Sequence, residues 1–369
     1  MNRYFYYNIA LVSSLNLMLF VPYLLIHDRY EGAVSSMVCA TFAGTALAFL
    51  YSHVMKVFPG KGMPEILSLF LPKFISVPIL LFMSLMWLMA SSIALAGYAV
   101  LINRFFNPDT SSMIVLMLLA GVCIYTSTRS TLTVMFVIEM AMIVNLPIVL
   151  FILFKASTSS NLDWDAIRAV AQYWKVPPKF EPFAASIYVF TGYTNYAVFN
   201  RLNPHNFRIR YRWLIPLICF LVLLISFFVP IGFHGTEAVA SYLYIWSVTS
   251  DSLMLGYGFI ERVIFLFLLL FLNLTIVYTT TGWHIAMEMV KSCMPRMKPQ
   301  IDPARTPKAN WFIASAFALA TLAASYFLNE KQNLTITQYW LMLRVYVEVV
   351  MVFLLFFFSL RAGRKKLGT

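Results

Sequence analysis

Long apolar stretches separated by short polar breaks dominate this chain. From the N-terminus, the apolar runs occupy about 5–26, 33–55, 75–102, 112–127, 132–154, 183–200, 213–233, 258–287, 310–328 and 338–360. Most approach the ~20 residues that a helix needs to cross a hydrocarbon core of about 30 Å. The breaks are polar turns: HDRYEG (27–32), RFFNPDT (104–110), the very tight STRST (127–131) and RLNPHNFRIRYR (201–212). The segment SCMPRMKPQIDPARTPK (292–308) carries four prolines and reads as an irregular loop. The short alternating segments of a transmembrane barrel, roughly ten residues each, do not occur. The pattern predicts an all-α integral membrane protein of about ten transmembrane helices in one domain, 1–369. The first run has no small-x-small cleavage site before His27, so it is expected to be a retained helix rather than a signal peptide.

Two connections are longer. In 155–182, Trp164, Ile167, Val170 and Trp174 recur at helical spacing, Asp163 is placed to cap them, and Pro177-Pro178 ends the pattern. In 234–257, Val239, Tyr242, Leu243 and Trp246 share one helical face. Both read as short amphipathic helices at the membrane surface.

Composition supports the membrane reading: 61% of residues are apolar and 11% charged, against roughly 25% charged in soluble domains. The net charge of +12 would suggest nucleic acid in a soluble chain. Here most lysines and arginines fall in alternate connections, with Lys56, Lys61, Arg201, Arg212, Lys291 and Lys308 among them. That bias places both termini in the cytoplasm, with the basic loops facing anionic headgroups, and leaves no nucleic-acid partner to invoke. The four cysteines form no disulfide framework, and the five histidines show no metal-ligand spacing. Phosphate-cradling loops, nucleophile elbows and zinc motifs are missing from the sequence. An enzyme, a metal and a cofactor are therefore not expected.

Ten helices with both ends on one side fit a five-plus-five inverted repeat, about 5–154 and 183–360, in which the first and sixth helices are interrupted around a midplane site. The first run contains Ser13, Ser14 and Asn16; the sixth contains Thr191, Gly192, Tyr193, Thr194 and Asn195. Half-helix ends at such breaks offer N–H groups to a carboxylate and carbonyls to an ammonium, which suits a zwitterion such as an amino acid. Ser91 and Ser92 in the third run and Asn273 in the eighth are further candidates for lining the cavity. Each of these residue types also serves ordinary helix packing.

Intramembrane charges are costly and need partners. Glu139 stands alone in the fifth run and is a candidate for a proton site or for an ion pair with another helix. Arg344 and Glu348 lie four apart and can pair on one face of the tenth helix, although Arg344 is also near enough to the interface to snorkel. Glu261 and Arg262 are adjacent, so they point to different neighbours. Glu288 and Lys291 fall near a helix end and are expected to be solvated.

Three segments resemble a known family, the spore germination permeases. FPGKGMPEIL (58–67) resembles the proline-glycine-lysine stretch that leads into their third helix. FAASIYVFTGYTN (183–195) resembles their sixth helix. IGFHGTEAVASYLYIWSVTSDSLMLGYGFIERVIFLFL (231–268) resembles their seventh-to-eighth connection with its Glu-Arg pair. The resemblance implies a member of the amino acid–polyamine–organocation superfamily: the B subunit of a nutrient germinant receptor in the spore's inner membrane. It further implies an amino acid or similar nutrient as ligand, and an A-type membrane subunit and a C-type lipoprotein as partners. The sequence departs from the family pattern at Ile264, where many members are acidic, and in its first-helix break, which has no glycine. The alternative function is a proton-coupled amino acid transporter, although the fifth helix lacks the lysine of some proton-coupled relatives. A further reading is a structural partner with a vestigial pocket.

Overall fold

A computed structural model describes residues 2–16, 20–204, 209–254, 262–294, 301–303 and 305–367. The regular structure of the described residues is helical, apart from one isolated antiparallel bridge between Met254 and Arg262. The chain is an all-α membrane protein. Among the described residues, seven single helices are long and apolar enough to cross a bilayer: α3 (Ala33–Val57), α5 (Lys73–Phe105), α7 (Thr131–Ser157), α11 (Leu214–His234), α13 (Val263–Cys293), α14 (Lys308–Phe327) and α15 (Glu330–Leu367). The pair α1 (Asn2–Asn16) and α2 (Phe20–His27), inclined at 57° to each other, makes an eighth if the two are counted as one span. The fourth apolar run is the 16-residue α6 (Ser112–Ser127).

The sixth run changes helix type along its length. It starts as α9 (Phe180–Ile187), tightens to a 3₁₀ helix over Tyr188–Asn195, and ends in α10 (Tyr196–Phe199) and a 3₁₀ turn at Asn200–Leu202. Sequence patterning places an unwound break there; the backbone is instead wound more tightly. Eight residues of 3₁₀ helix are long for this geometry, and such stretches mark strain or function.

Local chemistry sets the boundaries. Ser111 and Ser130 cap α6 and α7 by accepting the Met113 and Thr133 amides at 3.3 and 3.1 Å, so three residues suffice to join the two helices. Asp163 caps α8 (Trp164–Ala171) by accepting from the Asp165 and Ala166 amides at 2.8 and 3.2 Å. Between the second and third apolar runs lies another helix, α4 (Met63–Phe70), whose Glu65 reaches back to the Gly62 amide at 2.8 Å. The single amphipathic helix expected in 234–257 is two pieces, a 3₁₀ turn at Ala238–Ser241 and α12 (Ile245–Asp251). Extended backbone at Tyr242 divides them, while Val239 and Trp246 are both buried. The eighth span is helical from Val263, and the earlier part of that run, 258–261, lies outside the described residues.

Helices α5 and α13 form the central contact. Ser84, Ser91 and Tyr98 recur every seven residues on α5 and let the two backbones approach. Ser84 donates to the Ala286 carbonyl at 2.9 Å, and Tyr98 donates to the Leu268 carbonyl at 3.0 Å. Between them Thr279 donates to the Ser91 carbonyl at 3.3 Å. A Cβ on Gly282 would lie 1.8 Å from Ser91 Oγ and 3.2 Å from its Cβ, so a larger residue there would displace the serine hydroxyl and crowd the crossing. Small residues serve helix contacts in lipid in this way because backbone proximity, not hydrophobicity, drives association there.

The polar connections sort to two ends. At the basic end, Arg201, Lys291 and the 58–65 segment meet. At the opposite end, Arg29 pairs with Glu237, Lys179 with Glu31, and Arg104 with Glu330.

Candidate functional site

A cavity of about 80 Å³ lies between α3, α5, α13, α15 and the 3₁₀ part of the sixth span. Four residues expected from the sequence line it: Ser91, Thr191, Thr194 and Asn195. Asn195 is fixed on both sides. Its Oδ1 accepts from Trp87 Nε1 at 3.2 Å, and its Nδ2 donates to Asn8 Oδ1 at 3.0 Å. Asn8, wholly buried on α1, donates to the Tyr4 carbonyl at 2.9 Å. A polar chain thus joins the first, third and sixth spans beside the cavity, as buried amides require.

Other expected residues stand elsewhere. The α1 helix runs through Ser13 and Ser14 to Asn16, so these residues are helical and form no break themselves. Asn16 donates to the Val12 carbonyl at 2.7 Å. Ser92 faces away and shares a hydrogen bond of 2.7 Å with Thr321. Asn273 is half-buried and does not line the cavity. Gly192 faces α1: a Cβ there would lie 2.3 Å from the Asn8 carbonyl oxygen. It is the contact that lets the first and sixth spans touch, and its neighbour Tyr193 points to α15.

The charged wall comes from α15. Arg344 and Glu348 pair one turn apart, and the side chains are 9% and 4% exposed, so Arg344 does not snorkel. Tyr193 donates to Glu348 Oε1, and the Arg344 guanidinium lies 4.8 Å over the Tyr188 ring. Both charged residues line the cavity. Three more buried donors there make no hydrogen bond within the protein: Tyr51 OH, Trp340 Nε1 and Arg344 Nε. The rest of the lining is apolar or aromatic, including Met83, Met86, Trp87 and Tyr278. A buried polar group without a partner is costly, and this wall holds several that a carboxylate would satisfy. Next to them Glu348 offers acceptor oxygens to an ammonium.

Sequence reasoning missed Tyr51, Tyr278 and Trp340, which look like core aromatics in apolar runs. It also misplaced the basic end. Glu288 and Lys291 are not solvated: their side chains are 3% and 7% exposed, and Lys291 Nζ lies 2.5 Å from Glu288 Oε1. Arg201 Nη1 reaches Glu288 Oε2 at 2.7 Å, and its Nη2 reaches Glu65 Oε1 at 2.7 Å. Two carboxylates and two cations close a neutral network between α4, α13 and the end of the sixth span. Asn200 secures it by donating to the Phe58 and Lys61 carbonyls at 2.8 and 2.7 Å. Of the remaining charges, Glu139 pairs with Arg3 of α1 at 2.7 Å, and Arg262 stands 3.7 Å from Asp251. Glu261 lies outside the described residues. Among the described residues, no three His, Cys, Asp or Glu side chains group as a metal site would need.

The FPGKGMPEIL segment and Arg201 thus enter one buried network, and the 183–195 segment forms a cavity wall. A search of curated proteins found no match. The sequence model of the family described as spore germination protein matches residues 18–301, more than half of the chain, taking in the 58–65 segment, the sixth span and Glu288, and the chain belongs to that family.

Proposed function

We propose that this spore germination protein is the permease-like B subunit of a nutrient germinant receptor, and that its cavity binds a small zwitterion, an amino acid or a close analogue. The observation that carries the reading is the Arg344–Glu348 pair, which presents opposite charges side by side to a cavity whose other free polar atoms are donors. A zwitterion matches both charges and adds no net charge to a low-dielectric site, where an isolated charge would be penalised. A volume of about 80 Å³ favours a compact ligand. Binding shifts a conformational equilibrium by the ligand's differential affinity for two states, and A-type and C-type lipoprotein subunits receive that shift. The basic end faces the cytoplasm, with both termini, in the spore's inner membrane. The packing of Gly192 on Asn8 and Ile9 brings the first and sixth segments together, as a five-plus-five repeat would.

The test uses purified protein in liposomes and a panel of labelled small amino acids. Binding and uptake are scored separately, with and without a pH gradient. Saturable binding is expected, without accumulation. Arg344→Met should weaken it by tenfold or more, since charged hydrogen bonds are worth roughly 1.5–3 kcal/mol, and amidated or deaminated analogues should bind poorly. Gradient-driven accumulation would make the protein a proton-coupled transporter instead.

A further inference from the structure

Three cavities lie in line along α15. The outermost, about 640 Å³, is lined by Leu334 and Gln338 together with Asp28, Glu31 and Glu181 at the end opposite the basic network. The next, about 30 Å³, is lined by Thr337, Trp340 and Leu341. The innermost is the candidate site, lined by Arg344, Val347 and Glu348. These positions advance by three or four residues, so one face of a single helix lines the whole series. At 1.5 Å per residue, Leu334 to Glu348 spans roughly 21 Å. Helix α2 runs alongside and places Leu24 in the outer space and Val21 in the middle one.

One partition separates the middle space from the site. Tyr188, Tyr278 and Trp340 line both. The two tyrosine hydroxyls bond to each other across it, from the 3₁₀ part of the sixth span to α13. Trp340 packs edge-on against Tyr188 at 5.4 Å, and Arg344 lies over the same ring. On the other side, Met63 closes the site floor, and two residues further on Glu65 belongs to the buried network of Arg201, Glu288 and Lys291. The two closures are unequal. The first is one hydroxyl pair and the edge of an indole. The second is a set of ion pairs, buried at Arg201, Glu288 and Lys291 and partly buried at Glu65, held by three elements.

We propose that the cavity opens only toward the end opposite the basic network, that the Tyr188–Tyr278 pair is its gate, and that the Glu65–Arg201–Glu288–Lys291 network is a lock on the other side. The inference rests on the candidate site being a binding cavity. A group bound at Arg344 pulls on the guanidinium that holds the Tyr188 ring, so occupancy and gate position are coupled through a direct contact. A chain that opens on one side senses a solute without passing it across the membrane.

The experiment measures access and needs no ligand. In a cysteine-free background, Ala90→Cys, which lines both inner spaces, is labelled with a membrane-impermeant thiol reagent applied to either face of sealed vesicles. Ser160→Cys, an exposed position in the connection beyond α7, reports which face carries the opposite end. Labelling of Ala90→Cys is expected from the Ser160 face alone. Tyr278→Phe, which deletes one hydroxyl, should raise its rate on the order of tenfold, the worth of about one hydrogen bond. Arg201→Met should admit reagent from the basic face. Equal labelling from both faces, labelling chiefly from the basic face, or a rate untouched by Tyr278→Phe would each overturn the proposal. If one-sided, tyrosine-controlled labelling holds while no amino acid binds, the gate stands and only the ligand reading falls.

Discussion

A Cβ on Gly192 would lie 2.3 Å from the Asn8 carbonyl oxygen and 2.4 Å from the Ile9 Cα. Both are backbone atoms of a helix and cannot swing aside. A Cβ on Gly121 of α6 would meet no neighbouring atom within 4 Å. The two glycines therefore predict opposite outcomes. Gly192→Ala forces the first and sixth spans apart and should cost about 1–3 kcal/mol, the usual range for overpacking. Gly121→Ala should be neutral or stabilise by roughly 0.5–1 kcal/mol, because alanine restricts the unfolded chain. Thermal unfolding in detergent compares them; a Gly192→Ala protein as stable as the parent would refute the close contact. Gly192 also shows the limit of reading residues singly. Its place in TGYTN suggested a binding break, and the same lack of a side chain serves equally for helix contact. Thr191, Thr194 and Asn195 were legible as cavity residues because polar atoms in an apolar run must go somewhere. Tyr51, Tyr278 and Trp340 were not, because aromatic residues in an apolar run fit any buried position.

At the level of elements, the end opposite the basic network is held by connections rather than by spans. Tyr30 donates to Glu237 Oε1 at 2.8 Å, and Arg29 donates to Oε2 at 3.0 Å. The turn between α2 and α3 is thus tied to the connection that follows α11. Ser35 and Ser36 add bonds to the Val176 and Lys179 carbonyls at 2.6 and 3.1 Å. The Tyr30 hydrogen bond, and then the Arg29 guanidinium, hold the Glu237 carboxyl below its ordinary range. A carboxylate whose folded pKa is lowered contributes stability above its unfolded value and loses it as the pH falls through the folded one. Acidification below roughly pH 4.3, the ordinary glutamate value, should therefore release this clasp. Amide exchange in 235–244 should rise over that window in the parent protein. In Glu237→Gln it should already be high at neutral pH and change little on acidification. A window unchanged by the substitution would remove Glu237 as its cause. The Asp163 cap and the serine turn at 127–131 could be anticipated, because capping depends on the few residues beside it. This clasp could not, since its partners are separated by more than 200 positions.

Across the whole molecule, membrane class and most helix limits were legible because each depends on a local run of apolar residues, although seven or eight helices rather than ten are long and apolar enough to cross a bilayer among the described residues. The pairing of charges depends on how those spans come together. Glu139 was expected to serve a proton or meet another helix, and in the structure it faces Arg3. Glu288 and Lys291 sit near a helix end, a position that normally implies water, yet the sixth span and α4 cover them. Within this network Glu288 is the centre, accepting from Arg201 and Lys291 together. Glu288→Gln would leave two buried cations facing the single carboxylate of Glu65, and breaking a buried pair in this way costs about 3–5 kcal/mol. Removing Lys291 as well, in Glu288→Gln with Lys291→Met, restores neutrality through Arg201 and Glu65. The double variant should regain much of the lost stability, since pairs replaced together by uncharged groups are often close to neutral in cost. A double-mutant cycle on unfolding midpoints isolates the coupling. Simple additivity of the two single variants would mean that Glu288 and Lys291 are each solvated on their own, and that the 58–65 segment, the sixth span and α13 are not closed by charge. A recovery on the double variant would identify the basic end as a neutral buried closure, assembled from three elements that the sequence keeps far apart.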